Sequence, residues 1–130
     1  MSAEANLAVA QRYAVAWQAG DVAAIVDCYH DDFTLHYGGA TPFSGDHVGK
    51  AAALKTLAEV SRRTGRKLIE IIDVTAGPER AVVIARERFT RGEMTATLDR
   101  VLVYTIRGDR FHECWLFEND QATVDRFLTA

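Results

Sequence analysis

The sequence predicts an α+β fold, with helices on one face of a curved antiparallel sheet. Two observations point there. Up to Gly65 the apolar residues recur mostly at helical spacing, interrupted by one short alternating run. Beyond Gly65 nearly every segment is rich in β-branched and aromatic residues, and glycine-bearing turns separate the segments.

Residues 3–19 predict the first helix, because Leu7, Ala10, Ala14 and Trp17 share a face and Ala, Leu, Gln and Arg favour helix. Gly20 stops it, and Asp21 caps a short second helix with Val22, Ile25, Val26 and Tyr29 as its apolar stripe. That helix fades at Asp31-Asp32. Phe33, Leu35 and Tyr37 then alternate with Thr34 and His36, a period-two strand. "GGATPFSG" is predicted to be a loop. A third helix is expected from an Asp46 cap to about Arg63, burying Val48, Ala52, Leu54, Leu57, Ala58 and Val60. "KLIEIIDV", "RAVVIARERF", "MTATLDRVLVYTI" and "RFHECWLF" follow as strands, joined at Gly77-Pro78, Arg91-Gly92 and Gly108-Asp109. The tail from residue 120 to 128 reads as one or two helical turns.

The whole chain, residues 1–130, reads as one domain. Fifteen basic against eighteen acidic residues leave a charge of −3, which argues against a nucleic-acid footprint. No apolar run reaches the roughly 18 residues of a membrane span, and no basic-then-apolar leader opens the chain. A cytoplasmic protein is expected, with Cys28 and Cys114 as buried free thiols. If the second sheet face is as apolar as these strands suggest, a second subunit is its simplest cover, so a homodimer through the outer face is expected.

The segments "RYAVAWQAGDVAAIVDCYHDDFTL", "PFSGDHVGKAA" and "ECWLFEND" resemble SnoaL-like and ketosteroid-isomerase-like members of the nuclear-transport-factor-2-like superfamily. The likeness spans nearly the whole chain. It implies a cone-shaped α+β barrel around a largely apolar pocket, usually in a dimer. The members include isomerases, cyclases, hydrolases and non-catalytic proteins, so the fold leaves the reaction open.

Ketosteroid isomerase uses an aspartate base and an oxyanion hole of a tyrosine and a protonated aspartate. The resemblance carries the tyrosine onto Tyr13 and the protonated aspartate onto Asp99. The base position differs. Counting forward from Asp31-Asp32 it falls on Tyr37, and counting back from "PFSG" it falls on His36. The forward count is preferred, since a length change sits more easily in the loop than in the strand. Phe33, Leu35 and Tyr37 then face the pocket. Tyrosine is a poor base at neutral pH, which argues against a steroid isomerase of this mechanism. Under the other count His36 becomes the best base.

Strict alternation in "RFHECWLF" groups Phe111, Glu113, Trp115 and Phe117 on one side, and the resemblance places Glu113, Trp115 and Phe117 in the cavity. Glu113 is then a second acid-base candidate, unless an arginine such as Arg86, Arg88 or Arg100 pairs with it. Trp17 and Val101 complete the expected apolar wall. Asp31-Asp32 reads as a turn, and Asp120 as a helix cap more than as an acid. Arg86, Arg88 and Arg100 would suit an anionic ligand if all faced inward, but their faces are undecided. His30, His47 and His112 have no metal spacing, so no metal or cofactor is expected. The function expected is acid-base chemistry on a small hydrophobic ligand. The alternative is a domain of the same fold that only binds a small molecule or a partner.

Overall fold

A computed structural model of the chain describes residues 2–129. Helix α1 spans Ala3–Ala19, and Ser2 Oγ caps it by accepting from the Ala5 amide at 3.1 Å. Gly20 takes the left-handed conformation (φ 67°) that ends α1. Asp21 then caps helix α2, Val22–Asp27, through the Ala24 amide. This helix is shorter than its apolar stripe suggested, because Tyr29 already belongs to strand β1, Tyr29–Tyr37.

Strand β2, Gly45–Val48, takes up residues expected to be loop end and helix start. Helix α3 therefore begins at Lys50 and runs to Thr64, with Gly49 at its N-cap and Ala53 buried where Ala52 was expected. Strands β3 (Lys67–Ala76), β4 (Arg80–Arg91), β5 (Met94–Arg107) and β6 (Arg110–Glu118) follow, and helix α4 (Gln121–Leu128) closes the described chain. Asp120 is the α4 cap, accepting from the Thr123 amide at 3.1 Å and from its hydroxyl at 2.6 Å.

The six strands form one curved open sheet in the order β2-β1-β6-β5-β4-β3. The hairpins from β3 to β6 are antiparallel as expected, but β1 runs parallel to β6. A parallel pair cannot be closed by a tight turn. Here most of the chain lies between the two partners.

The sheet's inner face and the helices share one core. Phe33, Phe89 and Phe111 are essentially inaccessible to solvent, each contributing about 1.5–3 kcal/mol by leaving water. Leu98, Arg100, Leu102 and Tyr104 point inward from β5, whereas Asp99, Val101, Val103 and Thr105 occupy the alternate, partly exposed positions.

Strand β6 breaks its own alternation. Ile106 pairs with Phe111 and Thr105 with Glu113, so His112 is an extra residue opposite one step of β5. Such a bulge shifts side-chain parity by one. Phe111, Cys114 and Leu116 are buried together, while Glu113, Trp115 and Phe117 turn to the outer face.

Candidate functional site

The enclosed hollow lies between α1, α3 and the inner face of the sheet. Its volume is about 20 Å³, room for roughly one water, and Tyr13, Trp17, Leu57, Arg66 and Tyr104 line it with Tyr29, Phe33, Leu35, Leu102, Cys114 and Leu116. A larger molecule enters only if these side chains move.

Three phenols gather at this hollow. Tyr13 comes from α1, Tyr29 from the start of β1 and Tyr104 from β5. Tyr29 donates its hydroxyl to Tyr13 at 3.3 Å, and the Tyr13 ring meets Tyr29, Tyr104 and Phe111 edge-on. The Tyr104 ring stacks on Phe111 at 3.7 Å. Its hydroxyl approaches Tyr13 and Cys114 but meets neither with full hydrogen-bond geometry.

Burial raises the pKa of all three phenols, well above the ordinary value for Tyr29 and Tyr104. At neutral pH each therefore stays protonated and able to donate. Burial also pushes the Cys114 thiol up to about 12, so it is no nucleophile.

Beside the hollow runs a buried ionic cluster. Arg100, wholly inaccessible, donates Nε to Glu118 Oε1 at 2.8 Å and Nη2 to Glu118 Oε2 at 2.6 Å. Its Nη1 donates to Glu87 at 3.2 Å, and Nη2 also donates to the Tyr37 hydroxyl at 3.1 Å. Glu87 Oε2 makes no hydrogen bond among the described residues. Burial raises the Tyr37 pKa, and the Arg100 charge opposes that shift.

The expected site residues divide between the two faces. Tyr13, Phe33, Leu35 and Tyr37 lie in the interior, and Trp17 sits at the hollow's edge. Asp99 does not share a void with Tyr13. It faces outward, where Arg86 donates Nε to it at 2.8 Å. Val101 is likewise on the outer face of β5, opposite the wall it was expected to form. The bulge at His112 carries Glu113, Trp115 and Phe117 outward, with Phe117 55% exposed.

His36, on the alternate side of β1 from Tyr37, binds Asp46 through Nδ1 at 2.7 Å and Glu113 through Nε2 at 2.9 Å. It also stacks on Trp115 at 4.6 Å. Partial burial lowers its pKa, but the hydrogen bonds it makes to Glu113 and Asp46 outweigh this and leave it raised. The partner of Glu113 is thus a histidine, not an arginine. A groove of about 310 Å³, lined by His36, Asp46, Trp115 and Phe117 among others, opens there.

Arg86 pairs with Glu70 and Asp99 on the outer face, while Arg100 faces inward, so the three arginines do not converge. Among the described residues no His, Cys, Asp and Glu group forms a metal cage. No helix there is long and apolar enough to cross a membrane.

Tyr29, Leu57, Arg66, Leu102, Tyr104, Cys114 and Leu116 line the hollow unanticipated. Tyr104 shares the inner face of β5 with Leu98 and Leu102, and that face is fixed by the register with β4 and β6. Arg66, one residue beyond a helix-ending glycine, carries no periodic signal.

The fold recurs in solved structures. Bal32a, from a soil-derived mobile gene cassette, matches with a TM-score of 0.86 at 22% identity over 97% of this chain and 98% of its own. A Xanthomonas campestris protein of unknown function with a cystatin-like fold matches at 0.87 and 23% identity, over 96% and 98%. TerC, co-crystallised with polyporic acid, matches at 0.78 and 20% identity, over 95% and 98%. No curated protein matches the chain. The model of the SnoaL-like domain matches residues 10–121, the span holding both the phenol trio and the buried arginine cluster, and the chain belongs to that family.

Proposed function

We propose that the hollow binds a small, largely apolar molecule through a carbonyl or enolic oxygen. The observation that carries this reading is the meeting of three neutral, buried phenols at one hollow, with the Tyr104 hydroxyl unpaired. A buried polar group without a partner costs about 1–3 kcal/mol. A ligand oxygen accepting from Tyr104 offsets that cost.

Catalysis is a second reading, favoured by Glu87 Oε2, which accepts no hydrogen bond among the described residues and faces the Arg66 charge at 3.7 Å. Glu87 does not line the hollow, so only once a substrate has moved the lining does its carboxylate stand beside donors that stabilise a developing oxyanion, an arrangement suited to cofactor-independent isomerase or cyclase chemistry. Of the acid-base candidates expected from sequence, Asp99, Glu113 and His36 all lie outside the hollow.

A thermal-shift screen of enones, hydroxyquinones and lactones tests the binding reading, with polyporic acid as a reasonable first compound given TerC. Stabilisation that disappears in Tyr104→Phe supports the reading, and no stabilisation by any compound rejects it. Turnover abolished by Glu87→Gln in a well-folded variant selects the catalytic reading.

A homodimer belongs to the same proposal. Val82, Val103 and Trp115 form one row across β4, β5 and β6 on the outer face, and Ile84, Val101 and Phe117 form the next. Two such rows suit burial against a second copy. Light scattering at micromolar concentration reads the mass, with Phe117→Asp as the disrupting variant.

A further inference from the structure

We infer that Arg66 makes the hollow selective for an anionic apolar ligand, an aromatic carboxylate or an acidic enol. This rests on the reading of the hollow as a ligand pocket. Gly65, left-handed at φ 50°, ends α3 and turns the chain so that Arg66 lies between that helix and β3. The side chain, 21% exposed, reaches the hollow beside Trp17 and Leu57.

The arginine is held in place but not saturated. Its Nε donates to Ser61 Oγ at 2.8 Å, and among the described residues its terminal nitrogens make no hydrogen bond. Glu87 Oε2 lies 3.7 Å from Nε, close enough for an ion pair but too far for a hydrogen bond. The Arg66 charge is felt at Tyr13, Tyr29 and Tyr37, where it works against the upward pull of burial on each phenol.

A ligand head group in the hollow therefore meets donors: neutral phenols and a guanidinium with free N–H groups. A planar guanidinium matches a carboxylate with two parallel bonds, which a neutral amide cannot reciprocate. Glu87 opposes an anion, but it does not line the hollow and Arg66 does. The preference expected is accordingly modest.

The test compares benzoate with benzamide, and 2-naphthoate with 2-naphthamide, by calorimetric titration at pH 7. Wild-type protein is expected to bind each acid about tenfold more tightly than its amide. Arg66→Met brings the ratio close to one, and Arg66→Lys retains part of it, with melting curves checking that both variants fold. Equal affinity for acid and amide in the wild type overturns the Arg66 assignment while leaving the pocket intact. An undiminished ratio in folded Arg66→Met overturns it too. If neither acid nor amide binds saturably, the pocket reading itself fails and the inference with it.

Discussion

Replacing Tyr104 with Phe separates stability from binding at the hollow. The Tyr104 ring is almost inaccessible and stacks on Phe111 at 3.7 Å, so the substitution keeps the packing. It removes only a hydroxyl that makes no hydrogen bond among the described residues. Because Tyr104 lies near Tyr13 and Cys114 and lines a hollow with room for about one water, losing the hydroxyl is expected to shift stability by no more than about 1 kcal/mol in either direction. For a domain of this length about 1 kcal/mol corresponds to roughly 3–6 °C in Tm. Thermal melts followed by circular dichroism are the assay, with Tyr29→Phe as the contrast. Tyr29 donates to Tyr13 at 3.3 Å, and losing that bond costs about 1 kcal/mol. A Tyr104→Phe protein more than about 1 kcal/mol less stable than wild type refutes the reasoning, because the hydroxyl then has a structural partner. Unchanged ligand-induced stabilisation in this variant removes Tyr104 from the binding role.

Arg100→Met strands the Glu87 and Glu118 carboxylates in the core and is expected to cost about 3–5 kcal/mol in denaturant titrations; combining it with Glu87→Gln and Glu118→Gln recovers much of the loss. His36, whose pKa is raised in the folded state, contributes stability that is fully present below its unfolded value near 6.5 and is lost as pH rises through the folded value. Melts from pH 5 to 9 should show that decline in wild type and a flatter profile in His36→Gln; parallel profiles count against the Asp46–His36–Glu113 arrangement. Cys28 and Cys114 are free and buried, so a thiol reagent should label them only as denaturant unfolds the chain; rapid labelling of native protein contradicts their burial.

The parts of the fold legible in sequence are those whose signal is local. Gly20 and Asp21 mark their helix boundary by backbone freedom and capping, and Phe33, Leu35 and Tyr37 declare the inner face of β1 through plain alternation. Strand β2 was not legible, because Gly45–Val48 has only one large apolar residue and depends on pairing with β1. The site was harder to read. Strand β5 carries aliphatic residues on both faces, so nothing local distinguishes Val101 from Leu102 or Asp99 from Arg100. In β6 the extra residue at His112 reverses the parity of everything beyond it, and no residue type announces that bulge. Faces that depend on register need the neighbouring strand. Arg66 depends instead on the path of a turn.

The parallel union of β1 and β6 also bears on how the molecule is made. During synthesis β1 emerges early, yet its second neighbour arrives only with residues 110–118. Until then β1 has just the four-residue β2 beside it, and its other edge presents unpaired amides and carbonyls to any passing strand. The nascent chain is most prone to aggregate in that interval, and a ribosome stalled before β6 would leave an adhesive fragment for chaperones to hold.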